Sequence, residues 1–391
     1  MRYDVEVSGF PSSHAGHLCL LNLVEDDYPN TKKIEDWPSW TLPILRWGQE
    51  QGGAVGYSHS GWGLALPDIM PDGSRGPLPN TWGGTKPGAR TGRAADRLPD
   101  YAMPPFDGIG ANEYIVAAPN DACDFISTVD TPAVWELNIW YHVLNTGLKT
   151  RISGETDFPC IYGDKVGLGR IYVEMDPKLP LTYDQWIRGL LDGRSYVGDG
   201  AAHVRNFAID GQHLGRLDSE GKVSELRWKE GGKGTVTATL AAWLPEQQDA
   251  RGAAIAARRL DEKPYWHIER SRIGKSRNVP VELIVNGEVV GKQEIAADGS
   301  WKELQWEIEL TQSSWVALRV FPSMHTNPIF VHVAGKEIRS NKKSAQWCRD
   351  AVEVCWEKKR PLIRAEERDR AEAAYNVARE YYDRAIAESV D

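Results

Sequence analysis

The chain has 391 residues, of which 41% are hydrophobic and 26% charged, with a formal net charge of −9. This composition is ordinary for a globular protein, and the length suggests two or three domains. Long basic runs are absent, which argues against nucleic acid as a partner. No apolar stretch approaches the roughly 18 residues needed to span a bilayer, so no transmembrane helix is expected.

From the N-terminus, residues 5–7 and 17–23 read as strands. Residues 38–51 read as a helix, because Trp40, Ile44, Leu45, Trp47 and Gly48 fall near helical spacing. Residues 54–59 read as a buried strand that ends in His59, and residues 108–116 repeat that pattern with Glu113 near the end. A loop rich in Gly, Pro and Arg over residues 73–103 is long enough to be a lid or disordered. Residues 131–146 form a helix with Val134, Leu137, Ile139, Tyr141 and Leu144 as its apolar positions. Residues 151–157 are a strand with polar residues at its end, and 183–191 a short helix closed by Asp192-Gly193.

Strand and helix alternating in this way is an α/β signature. Polar residues at strand ends are where barrel enzymes keep their chemistry. Residues 203–335 change character to a period-two alternation, and Asn286-Gly287 between two such runs is a strong hairpin signal. An antiparallel β-sandwich is expected there. Residues 344–389 read as helical, divided by Pro361. Ala371, Ala374, Tyr375, Val377, Ala378, Tyr381, Tyr382 and Ala385 form one apolar stripe. It packs on another part of the chain or on a partner, a second copy of the chain included.

The cysteines (Cys19, Cys123, Cys160, Cys348 and Cys355) are odd in number and show no Cys-x-x-Cys spacing. A zinc knuckle or a disulfide framework is therefore poorly supported. Cys348 and Cys355 share a helix face about 10 Å apart, too far for a disulfide. Of the 16 tryptophans, many must be core, while some, such as Trp62 in Ser60-Gly61-Trp62-Gly63, are placed to wall a pocket.

Divalent metals need lone-pair side chains that converge from strand ends. Four segments offer them: Asp4-Val5-Glu6, where Asp4 and Glu6 share a strand face, His14-Ala15-Gly16-His17, Gly56-Tyr57-Ser58-His59, and Ser153-Gly154-Glu155-Thr156-Asp157. Each also has a bland reading, since a Glu on a strand is usually solvated and a lone His is more often a hydrogen-bonded structural residue.

These segments, in order, carry a resemblance: Val5-Glu6-Val7-Ser8, Gly16-His17-Leu18, Tyr57-Ser58-His59-Ser60-Gly61, Ile109 to Glu113-Tyr114, Ser153 to Asp157, and Trp186 through Gly193-Arg194-Ser195-Tyr196-Val197 to Gly200. Residues 1–200 resemble the PHP superfamily, specifically its CehA/McbA group of metallohydrolases. The resemblance implies a distorted β/α barrel of about seven strands with metal at the C-terminal strand ends. It implies Glu6 as a metal-bridging carboxylate, His17 and His59 as ligands, and Asp157 from the last metal motif. Zinc, manganese or iron would be the cofactor, in a number left open. Two departures stand out. The family's opening His-x-His motif has no counterpart, and its last Asp-x-His motif reads Asp157-Phe158-Pro159, where Pro cannot bind a metal. The expectation is therefore an incomplete barrel over 1–202, a sandwich over 203–340 and a helical segment over 341–391. The N-terminus has no basic region followed by an apolar core, and so no signal peptide. A longer parent chain, secreted or not, is the expected context.

Other polar residues are candidates for contact with a small-molecule substrate. Glu113 ends an expected strand, and Arg151 and Arg170 could pair with an anionic substrate or intermediate. His142 reads as a hydrogen-bonded helix residue and His325 as a turn residue. Gly167-Leu168-Gly169-Arg170 matches a phosphate loop only weakly. Two functions follow. One is a metal-dependent hydrolase in which metal-activated water attacks an ester, carbamate, amide or phosphoester. The other is a catalytically degenerate binding or scaffold protein.

Overall fold

The computed structural model describes residues 1–8, 16–78, 95–106, 113–158 and 167–389. His14, Cys160, Pro159, most of the expected loop tip and the start of the expected 108–116 strand lie outside those residues.

The first part of the chain is built from β1 (Tyr3–Val7), β2 (Leu18–Leu23), α1 (Thr41–Glu50), β3 (Ala54–Tyr57), α2 (Tyr114–Ala117), β4 (Phe125–Thr128), α3 (Ala133–Asn145) and β5 (Arg151–Gly154). Its strands form one sheet in the order β1-β2-β3-β4-β5. The first three are antiparallel, and β3, β4 and β5 are parallel. The sheet is open, and the closure a barrel requires is not present among the described residues. Of the expected 108–116 strand, the described residues from Tyr114 onward form α2 instead.

Next come β6 (Arg170–Val173), α4 (Tyr183–Leu191), β7 (Ser195–Gly198), β8 (Ala202–Ile209), β9 (Gln212–His213), β10 (Glu225–Trp228), β11 (Gly232–Ala242), α5 (Ala250–Ala256), β12 (Asn278–Val285), β13 (Glu288–Ala296), β14 (Lys302–Leu310), β15 (Ser314–Val320), β16 (Met324–Thr326) and β17 (Ile329–Val333). A four-stranded sheet runs β14-β11-β8-β9. The other sheet runs β10-β17-β15-β16-β7-β6, with β12 on β15 and β13 on β12. Val236, Leu240 and Trp306 from one sheet share a core with Val281, Leu283, Val316 and Leu318 from the other, as a sandwich requires. The Asn286-Gly287 turn has φ of 53° and 92°. Two positive values are what a two-residue turn matched to strand twist demands.

The division at residue 202 does not separate two bodies. β7 precedes it, yet pairs with β16 through Met324↔Gly198 and Thr326↔Tyr196. The Asn327 side chain then bridges the two parts, accepting from Ile152 N–H (3.0 Å) and donating to Ser195 Oγ (2.8 Å). The C-terminal helices α6 (Lys342–Lys359) and α7 (Arg368–Glu388) also join the first core. Cys348 and Cys355 are both buried in α6, and the α7 stripe is buried at Ala371, Ala374, Tyr375, Ala378, Tyr382 and Ala385. Val377, expected in that stripe, is exposed. The stripe is therefore covered by this chain itself.

All these parts meet at α3. Every one of its 13 residues is buried, which fits a helix that is apolar on all sides. Polar side chains along it are paired with the elements around it. Asn145 accepts from Trp315 Nε1 (2.8 Å) and donates to Ser344 Oγ (3.0 Å). The His142 ring bridges Ser344 Oγ (3.0 Å) and Asp100 O (2.9 Å), and the Tyr141 hydroxyl meets His325 Nε2 at 2.6 Å. His325 lies in β16, inside the core, rather than in a turn.

Burial pushes the His142 imidazole down to about 4 and that of His325 down to about 3. Both rings stay neutral in the folded chain while the unfolded chain takes up protons below about 6.5, so stability falls as pH drops through that range. At pH 5 the loss should be roughly 2 kcal/mol per imidazole. Urea unfolding at pH 7 and pH 5 should show a difference about 2 kcal/mol smaller for His325→Asn than for the parent chain. An identical difference in the two proteins would contradict this.

Candidate metal centre

Strand direction decides which side chains can meet. The parallel strands β3, β4 and β5 end on one edge of the sheet, followed by His59, Asp130 and Glu155 respectively. β2 runs the other way, so its start lies on the same edge, with Leu18 opposite Tyr57 and His17 just before it. β1 reverses again, and Val7 opposite Leu18 brings Glu6 to that edge. Five ligand-type side chains from five strands thus converge at the carboxyl ends of the parallel strands, where open α/β sheets bind ligands.

The cluster has two halves that share His59. On the open side, Glu6 Oε1 lies 3.3 Å from His17 Nδ1 and 3.2 Å from His59 Nε2. On the closed side, His59 Nδ1 lies 2.9 Å from Asp130 Oδ2 and 3.7 Å from both Glu155 Oε1 and Asp157 Oδ2. The His59 backbone N–H also donates to Glu155 Oε1. The Glu6 side chain is 41% exposed, those of His59 and Asp130 only 4% and 1%. Asp157 stands at the edge of the cluster. Asp4 takes no part, because its carboxylate accepts from Asn22 N–H and the Tyr183 hydroxyl. A register irregularity at that residue interrupts the alternation that would have placed it beside Glu6.

The electrostatics show what the cluster lacks. Hydrogen bonds from His17 and His59 hold the Glu6 carboxyl down to about 2. Burial disfavours charge on His59, but Asp130, Glu6 and Glu155 outweigh it and push the imidazole up to about 12. Burial raises Glu155 and Asp157. Several carboxylates thus rely on one imidazolium for compensation. Asp130 Oδ1 is buried with no hydrogen-bond partner, and buried His17 Nδ1 meets only the Glu6 carboxylate, at 3.3 Å. Buried polar atoms are normally satisfied, and orphans call for an unseen partner.

A divalent cation would meet that need. Two ligands each 2.0–2.1 Å from a tetrahedral zinc lie about 3.3 Å apart, close to the Glu6–His17 and Glu6–His59 separations. Glu6, His17 and His59 form one group able to hold an ion, and His59, Asp130 and Glu155 a second. One imidazole serves both groups poorly. The first group uses Nε2 and leaves Nδ1–H to donate to Asp130, the usual carboxylate–histidine–metal arrangement.

The backbone at the cluster is strained. His59, Val129 and Asp157 have φ of 48°, 88° and 56°, in a region that costs a non-glycine residue about 1–3 kcal/mol. A buried glutamate on α3 holds this geometry. Glu136 accepts from Val129 N–H (3.0 Å), from Trp266 Nε1 (2.6 Å) and from the Thr131 hydroxyl. Thr131 Oγ1 in turn accepts from Gly61 N–H at 3.0 Å. Glu136 therefore fixes the Asp130 loop, the loop after His59 and a segment of the sandwich together. Trp62 packs edge-on against Tyr265 at 6.0 Å. Lys263, Tyr265 and Trp266 line a narrow cleft of about 10 Å³ beside Asp130 and Glu155.

Of the other expected contact residues, Arg151 and Glu113 lie away from the cluster, while the Arg170 backbone packs on Gly154 beside Glu155. Arg151 opens β5 at the opposite end of the sheet, where Nε donates to Leu191 O at 3.1 Å. Burial lowers its guanidinium to about 10. Arg170 opens β6, exposed, with Nη1 3.3 Å from the Tyr172 hydroxyl. Glu113 is buried, accepting from Thr41 N–H (2.9 Å), Thr41 Oγ1 (2.6 Å) and Tyr375 OH (2.8 Å). It ties the start of α1 to α7. Asp130 is absent from the sequence expectations, and Glu155 enters the cluster from the segment in which Asp157 is the expected ligand. The usable signal for Asp130 was the short run Phe125-Ile126-Ser127-Thr128 before an acid and a helix-opening Thr131-Pro132.

Comparison with family models, curated proteins and solved structures finds no match to this chain.

Replacing Glu136 with Ala removes the acceptor of three buried donors. It should destabilise the fold by about 3 kcal/mol and weaken zinc or manganese binding at least about tenfold. Urea unfolding and metal titration would check both; lost stability with unchanged metal affinity would show that Glu136 does not position the cluster.

Proposed function

We propose that this chain is a metal-dependent hydrolase similar to PHP-superfamily enzymes of the CehA/McbA group. The observation that carries the reading is the Glu6–His17–His59 set, a two-histidine, one-carboxylate arrangement at the carboxyl ends of parallel strands with its Glu6 side open to solvent. Such donors suit zinc, iron or manganese. An ion held there would lower the pKa of a bound water and polarise the carbonyl or phosphoryl of an ester, carbamate, amide or phosphoester.

The chain's own residues have distinct tasks in this reading. Glu6 and His17 offer ligand atoms at the open mouth, where a small-molecule substrate would approach. Asp130 accepts the His59 Nδ1 proton, which fixes the tautomer and leaves Nε2 as the lone-pair donor. Glu155 anchors the His59 backbone. Asp157 Oδ2, 3.7 Å from His59 Nδ1, is the carboxylate placed to hold a proton at the rim. Trp62 and Tyr265 form an apolar flank. Arg151 is given no part in this reading, since it opens β5 at the opposite edge of the sheet.

The purified protein should contain near-stoichiometric zinc, manganese or iron, and a chelator should abolish hydrolysis across a panel of ester, carbamate and phosphoester substrates. Glu6→Gln and His59→Asn should each lower kcat/KM at least about 100-fold with circular dichroism unchanged. Absence of bound metal, with no rescue on adding it, would favour the binding or scaffold reading instead.

A further inference from the structure

A cleft of about 710 Å³ lies between the β6–β7 pair and the β8–β9 pair, and none of the metal-cluster residues lines it. That volume is in the usual range for small-molecule sites. One wall is aromatic: Tyr172 and Tyr196 are stacked with ring centroids 4.9 Å apart and planes within 12°, and Phe207 also lines the cleft. A flat ring has a surface to lie on.

The charge lining the cleft is one-sided. Arg194, Arg205, Arg216 and His213 face a single carboxylate, Glu174, which pairs with Arg216. Arg205 lies over the Trp301 ring at 4.2 Å, and among the described residues no carboxylate pairs with it. Arg194 reaches Asp192 through Nη2 at 3.2 Å, while its Nε is buried with no hydrogen-bond partner. Its stem runs against Gly215, where an added Cβ would fall 1.6 Å from Arg194 Cγ. The backbone at 215, with φ of 71°, thus leaves the room that Arg194 occupies.

We propose that this cleft is a second ligand site, separate from the metal cluster, for a small anion that carries a flat ring, such as an aromatic carboxylate. The stacked tyrosines take the ring and the arginines take the charge, Arg205 foremost because no carboxylate among the described residues neutralises it. The site does not depend on the hydrolase reading.

The test uses the full chain with 2-naphthoate and the uncharged 2-naphthol as probes, titrated by calorimetry. Naphthoate should bind the parent protein at least about fivefold more tightly than naphthol. Arg205→Gln, at an exposed position that leaves folding intact, should remove most of that preference, and Arg205→Gln with Arg216→Gln should abolish it. Tyr196→Leu should weaken both probes. Glu6→Gln, which alters the metal cluster, should change neither. No naphthoate binding, equal binding of the two probes, indifference to the arginine changes, or loss of binding in Glu6→Gln would each overturn the proposal.

Discussion

The fold depends on the complete burial of α3. A helix with no solvent face must satisfy each polar side chain from its surroundings, because an unpaired buried donor or acceptor costs about 1–3 kcal/mol. Asn145, His142 and Tyr141 meet this by bonding Trp315, Ser344 and His325, which come from the sandwich and from α6. Glu136 meets it by taking the Val129 N–H and the Trp266 indole. The same constraint therefore joins the open sheet, the sandwich and the C-terminal helices, and sets the loop that carries Asp130.

That loop matters because the cluster is costly to assemble. Glu6, Asp130, Glu155 and Asp157 crowd one histidine at the edge of a sheet, on a backbone that is locally left-handed at three non-glycine residues. Such strain persists only where the surroundings over-determine it. Here α3 supplies that support from beneath. The sandwich segment carrying Lys263, Tyr265 and Trp266 supplies it from the side. A bound cation would relieve the charge crowding that the protein side chains leave uncompensated.

Sequence periodicity made local elements legible. The helix expected at 183–191 is α4, residue for residue, and the Asn286-Gly287 hairpin has the turn that its dipeptide demands. Glu6, His17 and His59 were legible because each sits beside a recognisable strand. β4, and Asp130 after it, are not legible in the same way, because Phe125-Ile126-Ser127-Thr128 ends in hydroxyl residues with no histidine or glycine punctuation after them. Glu155 was passed over for Asp157 because the strand was read three residues too long; β5 stops at Gly154. Arg151 was misplaced for a related reason, since it begins that strand and a strand carries its ends to opposite edges of a sheet. The pairing of β7 with β16, more than a hundred residues later and across residue 202, leaves no local trace in the sequence. Glu113 was read as a strand end, whereas its carboxylate joins helices.

The proposed metal centre has Glu6, His17 and His59 as ligands of one ion, with Asp130 orienting His59 from behind. Anomalous diffraction from crystals of the protein saturated with zinc tests it most directly. The account predicts one strong peak within bonding distance of Glu6 Oε1, His17 Nδ1 and His59 Nε2, lost in Glu6→Gln. A site with no peak at saturating zinc, or an ion bound instead by cysteine sulfur elsewhere, would contradict it.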